Sequence, residues 1–148
     1  MRKKFLLMFL VLSLFSSMGG GYLFAQNGNV AKIGSTEYAT FNAALTAANN
    51  MTGDVTVEIY GAGVFTDGME LNGSYTSINF IGKNADAKLT VNQTAQGDYL
   101  EAHGKIVSFT DLILAKANPA WANNSGHMGN YFSIQGGTVT YTNCTFLN

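Results

Sequence analysis

The sequence has one cysteine, one proline, one tryptophan and two histidines, and only 11% of its residues are charged. Because Cys144 has no second cysteine as a partner, an internal disulfide is excluded, and such a free cysteine is usually a small core residue. His103 and His127 are not at metal-ligand spacing with Cys144 or with each other. The sequence therefore predicts no metal site and no cofactor.

Basic side chains are also scarce, and three of the eight lie at Arg2, Lys3 and Lys4. An apolar run over 5–15, broken only by Ser13, follows them, and small residues then lead to Ala25. This layout is typical of a secretory signal peptide, with an uncleaved anchor as the alternative, and the run is short for a membrane span. We predict that residues 1–25 are removed and that the mature protein is extracellular or at the cell surface, with no membrane attachment after cleavage.

Removal of this segment leaves five lysines, no arginine and nine acidic residues, which is a net charge of −4. A nucleic-acid surface needs basic patches that neutralise phosphates, so nucleic acid is excluded as a partner. The remaining length of about 123 residues suits one domain. Its richness in glycine, asparagine and threonine is typical of short strands joined by tight turns.

Local patterns predict a hairpin, then one helix, then short strands. Residues 30–33 and 37–38 flank a Gly-Ser-Thr turn, and Thr40 is placed to cap a helix. An apolar stripe at helical spacing follows: Phe41, Ala44, Leu45 and Ala48. After Gly53 the period changes to two, as in half-buried strands, and no second convincing helix follows.

Residues 97–114 are nearly repeated, without gaps, at 129–146. A fixed period of this size indicates stacked repeats, in which equivalent strands pair one above the other. The alternation of apolar residues changes phase at Asp111 and again at Asn143, and these residue types tolerate the left-handed conformation that would turn the chain there. The stacked pairs expected are Tyr99 under Tyr131, Phe109 under Tyr141 and Thr110 under Thr142.

Residues 31–48 resemble the opening segment of right-handed parallel β-helix proteins of the pectin-lyase-like class. The matching residues are Tyr38, Thr40, Phe41, Ala44, Leu45, Ala47 and Ala48. The resemblance implies an all-β fold: a right-handed parallel β-helix of about three to four coils with a short N-terminal amphipathic capping helix. The organisation expected is a signal peptide at 1–25, the hairpin and capping helix at 26–53, and coils at 54–148. Either the coils are truncated at the C-terminus, or the uncapped last coil self-associates.

The segment 115–128 is the most site-like part of the sequence. It contains Trp121, the adjacent amides of Asn123 and Asn124, and His127. An indole with amide neighbours suits stacking on a sugar, and Tyr99 and Tyr131 would extend such a surface. The alternatives are that Trp121 covers the side of the coil and that the tyrosines form an ordinary ladder.

Acidic residues are scattered, and no catalytic residue is predicted. Asp98, Glu101 and Asp111 are the only candidates for a local cluster, yet the repeat replaces Asp98 and Asp111 with asparagine, as in turns. A carboxylate pair across neighbouring coils, between Asp67 or Glu70 and Asp98 or Glu101, stays open.

Together these features predict a secreted or surface-displayed bacterial protein that acts in adhesion or carbohydrate contact without catalysis. Its expected partner is a polysaccharide or a host or cell-surface glycan. The alternatives are the N-terminal part of a polysaccharide lyase or glycoside hydrolase whose active site lies beyond this chain, and a structural stalk or fibre element.

Overall fold

The computed structural model of the chain describes residues 28–66, 71–92, 100–116 and 134–147. The predicted signal peptide at 1–25 lies outside these residues and stays a prediction. The elements in chain order are β1 (Ala31–Ile33), β2 (Thr36–Tyr38), α1 (Phe41–Asn49), β3 (Thr52–Ile59), β4 (Ala62–Thr66), β5 (Ser74–Gly82), β6 (Lys88–Asn92), β7 (Leu100–Glu101), β8 (Ile106–Thr110), β9 (Ile113–Lys116), β10 (Ile134–Gln135), β11 (Thr138–Thr142) and β12 (Thr145–Leu147).

The strands of the described residues form two main sheets and one small one. The first sheet has the order β11-β8-β5-β3-β1-β2, the second has the order β12-β9-β6-β4, and β10 pairs with β7. Strands β3, β5, β8 and β11 are mutually parallel, as are all strands of the second sheet. Strand β1 is antiparallel both to β2 and to β3.

The predicted fold class, an all-β right-handed parallel β-helix, is wrong. The hairpin of β1 and β2, which turns at Gly34 with a φ of 58°, adds two strands to the first sheet, and β1 runs antiparallel to β3. The first sheet is therefore mixed, and a helix supplies part of its core. The described residues form an α/β-like arrangement of two main sheets with one helix.

The predicted helix and its cap are confirmed. Thr40 adopts an extended conformation, and its Oγ1 accepts a hydrogen bond of 3.2 Å from the backbone N–H of Ala43. The predicted apolar stripe is the buried face of α1: Phe41, Ala44, Leu45 and Ala48. The Phe41 ring lies 4.5 Å from that of Phe65 and 5.7 Å from that of Phe80, so the helix covers the start of the core.

The core lies between the two main sheets, and like residues stack on like. The Phe109 ring is stacked 5.1 Å from Phe80 and 5.3 Å from Tyr141. Phe109 pairs with Tyr141 and Thr110 with Thr142, which confirms the stacking that the repeat predicts for these residues. The expected pair of Tyr99 and Tyr131 lies outside the described residues.

The predicted corner is also confirmed. Asp111 and Asn143 have φ values of 56° and 51°, in the left-handed region. Asn143 Nδ2 donates a hydrogen bond of 2.6 Å to Asp111 Oδ1, so the two corners are joined side chain to side chain. The corner carries the chain from β8 to β9 and from β11 to β12, while keeping the apolar side chains of both sheets toward one core.

Candidate functional site

The site predicted from the sequence lies outside the described residues. This holds for all six predicted ligand-binding residues: Tyr99, Trp121, Asn123, Asn124, His127 and Tyr131. It also holds for Asp67, Glu70 and Asp98 and for the side chain of Glu101. The indole-and-amide site and the carboxylate pair across repeats therefore both stay predictions, and the candidate site below is built from other residues.

The solvent side of the first sheet presents side chains in register across four parallel strands. Val57, Phe80 and Phe109 are fully buried, and because side chains alternate along a strand their neighbours point outward. We call these outward residues of β3, β5, β8 and β11 the outer face. Its three rows are Asp54, Ser77, Ile106 and Thr138; Thr56, Asn79, Ser108 and Thr140; and Glu58, Ile81, Thr110 and Thr142.

Hydrogen bonds across the strands orient several of these groups. Ser77 Oγ donates to Asp54 Oδ1 at 2.7 Å, and Ser108 Oγ donates to Asn79 Oδ1 at 2.6 Å. Thr138, Thr140 and Thr142 are exposed on the last strand of the array. Neighbouring strands are about 4.8 Å apart, and alternate residues of one strand are about 6.6 Å apart. The middle row of the outer face thus carries a hydroxyl or amide group on every strand, whereas Ile106 and Ile81 interrupt the two flanking rows.

A groove opens beside one end of the outer face, where α1 leads into β3. It has a volume of about 520 Å³ and is lined by Ile33, Gly34, Asn50, Met51, Thr52, Asp54, Val55 and Thr56. Asp54 and Thr56 belong to both the groove and the outer face, so the two surfaces are continuous. Polar side chains here lie beside the apolar groups of Ile33 and Met51, a combination that is common in small-ligand sites.

The other end of the outer face carries an ion pair. Tyr60 Oη donates a hydrogen bond of 2.7 Å to Glu58 Oε2, and Lys83 Nζ lies 3.3 Å from Glu58 Oε1. Partial burial would raise the pKa of Glu58, but the hydrogen bonds from Tyr60 and Lys83 outweigh it and the pKa is lowered. Burial and the Glu58 carboxylate raise the pKa of Tyr60 to about 12. A carboxylate held ionised in this way is a poor general acid, so Glu58 suits binding better than proton transfer.

His103 and Cys144, which are potential metal-ligating or nucleophilic residues, occupy structural positions. His103 lies in an exposed turn with a φ of 46°, as its alignment with Gln135 predicts. Cys144 is half-buried at the margin of the core, and its Sγ lies 3.4 Å from the carbonyl oxygen of Phe109. Within the described ranges no group of three or more histidine, cysteine or acidic side chains is arranged to hold a metal ion.

Sequence reasoning missed the outer face because the polar half of an alternating strand is normally just its solvated side. The pattern of outward polar residues becomes visible only when the sequences of the four strands are aligned by their pairing register. Residues 54–58, 77–81, 106–110 and 138–142 then place a polar side chain on every strand at the middle outward position, with the 32-residue repeat relating the last two.

Comparison of the chain with protein-family models, with curated proteins and with solved structures gives no match. The resemblance of residues 31–48 to pectin-lyase-like proteins accordingly stays a prediction. In the described part of the chain, no helix has both the length and the apolar character that crossing a membrane requires.

Proposed function

We propose that this chain is a secreted or cell-surface protein that acts in adhesion or carbohydrate contact without catalysis. The observation that carries the proposal is the middle row of the outer face, where a hydrogen-bonding side chain recurs on four strands in one register. A polymer with regularly repeated hydroxyl groups matches such a row, because each step along the ligand meets another donor or acceptor. A polysaccharide has this chemistry.

The charges of the outer face favour a neutral polysaccharide over an acidic one. Its ionisable groups are Asp54 and Glu58. Two lysines lie beside Glu58, because Lys83 Nζ is 3.3 Å from its carboxylate and Lys32 of β1 is its register partner. An acidic polymer would meet like charge at Asp54, whereas a hydroxyl group can donate a hydrogen bond to that carboxylate. The groove next to Asp54 adds apolar contact from Ile33 and Met51, which suits the C–H face of a sugar ring.

Binding to neutral polysaccharides tests the proposal. We expect the chain to be retained on insoluble cellulose or chitin, or to bind neutral oligosaccharides on a glycan array. The variant carrying both Asp54→Ala and Thr56→Ala should weaken binding by about tenfold or more, since each lost hydrogen bond contributes about 1 kcal/mol. The matched control is Thr145→Ala, an exposed threonine of β12 on the other main sheet.

The same assay separates the proposal from its alternatives. Loss of binding in Trp121→Ala, with binding unchanged in the Asp54 and Thr56 variant, would move the site to the loop predicted from the sequence. Release of soluble sugar from any polysaccharide would show catalysis and favour the lyase or hydrolase alternative. Absence of binding to every neutral glycan would overturn the proposal.

A further inference from the structure

The pairing of β3 with β5 is interrupted by a β-bulge. Gly53 of β3 pairs with Tyr75 of β5. The next residue of β3, Asp54, pairs with Ser77, so Thr76 of β5 has no partner on β3. The shift coincides with Gly53, whose φ of 76° lies in the left-handed region. Bulges are rare between parallel strands and are over-represented beside functional sites, where they re-aim a side chain. The side chains that this bulge orients are therefore candidates for ligand contact.

The bulge is required by two buried side chains of β5. Tyr75 is buried, and its Oη donates a hydrogen bond of 3.0 Å to Asn49 Oδ1 at the end of α1. Ile78 is fully buried in the core. Side chains of a regular strand alternate, so residues three positions apart would point to opposite sides. The extra residue brings Ile78 back to the core side and leaves Thr76 exposed and Ser77 half-buried on the outer face, level with Asp54.

The Asp54 carboxylate is held through one oxygen and open at the other. Ser77 Oγ donates a hydrogen bond of 2.7 Å to Asp54 Oδ1, whereas no group in the described part of the chain donates to Oδ2. Asp54 is exposed and lines the groove together with Asn50, Thr52 and Thr56. An ionised carboxylate only accepts hydrogen bonds. Asp54 Oδ2 is thus an oriented acceptor at the border between the groove and the outer face.

We propose that Asp54 is the specificity-determining residue of the glycan site and that Gly53 is its positioning residue. The inference rests on the proposed function, because it assigns roles within the same groove and outer face. Asp54 accepts a hydrogen bond from a free hydroxyl group of one sugar unit at the border of the groove, while the middle row contacts the units that follow. Gly53 acts through the bulge, which sets Asp54 opposite Ser77. The ligand is therefore a neutral polysaccharide whose hydroxyl groups are unsubstituted at this point.

The acceptor-only chemistry of Asp54 predicts discrimination against substituted sugars. A methyl ether cannot donate, so it leaves the carboxylate without a partner, and a site built to bond a hydroxyl group rejects an analogue that lacks it. Suitable probes are neutral hexasaccharides of glucose, mannose and galactose on a glycan array, each in free and partially O-methylated form. Asp54→Asn keeps the shape and adds an amide that can donate to an ether oxygen. We expect it to reduce the preference for the free form by about tenfold.

Substitutions of Gly53 test its positioning role. A Cβ at Gly53 would meet nothing within 4 Å, so the obstacle to Gly53→Ala is the positive φ alone. Gly53→Ala should misplace Asp54 and weaken binding by about tenfold, whereas asparagine tolerates this conformation and Gly53→Asn should restore most of the affinity. Gly104→Ala is the matched control. Gly104 has a φ of 82° and equally open surroundings, but it lies in the turn before β8, so its substitution should leave the affinity unchanged.

A double-mutant cycle separates positioning from a general loss of stability. If Gly53 acts through Asp54, Gly53→Ala weakens binding in the unaltered chain but has little further effect in an Asp54→Ala background. Equal effects in both backgrounds would overturn the inference, as would an unchanged preference in Asp54→Asn. Either result would leave the proposed function standing if the variant lacking both Asp54 and Thr56 side chains still loses binding. Absence of binding to every hexasaccharide would overturn both.

Discussion

Gly82 lies so close to neighbouring backbone that there is no room for a side chain at this position. It is the last residue of β5, it pairs with Ile59 of β3, and it lies against the corner at Asp111. A Cβ added to Gly82 would overlap the carbonyl oxygen of Asp111 and would lie 2.9 Å from its carbonyl carbon and 3.0 Å from Ala87 Cβ. The obstacle is mainly backbone, so no side-chain rotation removes it.

The stability lost in Gly82→Ala depends on which part of the backbone moves to make room for the added Cβ. Either β5 shifts away from the corner, which disturbs its pairing with β3, or the corner shifts, which disturbs the hydrogen bond between Asn143 and Asp111. Overpacking a core by a methylene group typically costs 1–3 kcal/mol. Because Gly82 is held in β5 and the Asp111 N–H is bonded to the Thr142 carbonyl oxygen at 3.0 Å, neither moves easily, and we expect a loss of about 3 kcal/mol in the free energy of unfolding.

Gly61→Ala is the matched control. A Cβ at Gly61 would meet Val30 Cγ1 at an ordinary distance of 3.6 Å, so the substitution should be neutral or should stabilise by up to about 1 kcal/mol through the unfolded state. Urea unfolding followed by circular dichroism compares the two variants. If Gly82→Ala is as stable as Gly61→Ala, the close approach of β5 to the corner is not a feature of the folded protein.

The same unfolding assay tests three further predictions, which concern Asn143, Thr40 and the effect of pH on Tyr75. Asn143→Ala should lose about 1–2 kcal/mol because alanine resists the left-handed conformation, and Asn143→Gly should recover part of the loss. Thr40→Ala removes the cap of α1 and should cost about 1 kcal/mol, while exposed Ser35→Ala should cost little. Burial raises the pKa of Tyr75 to about 12. The stability that the neutral Tyr75 side chain contributes is therefore complete below pH 10 and is lost as the pH rises toward 12. A decline on the order of 1–2 kcal/mol is expected over that window, and Tyr75→Phe should reduce it.

Local patterns predicted the local elements correctly because each depends on residues close in sequence. The stripe of α1 and its cap at Thr40 are set within one segment, and the corner at Asp111 is visible as a change of phase between two short strands. The 32-residue repeat also predicted the pairing of β8 with β11, since identical spacing leaves one register in which like residues stack.

The fold class was predicted wrongly because it depends on a contact that leaves no local signal. The antiparallel pairing of Ala31 with Ile59 joins residues far apart in the chain and makes the first sheet mixed. The same limit applies to the candidate site. Asp54, Ser77 and Thr138 look like ordinary solvated residues in the sequence, and only the register across strands places them in one row.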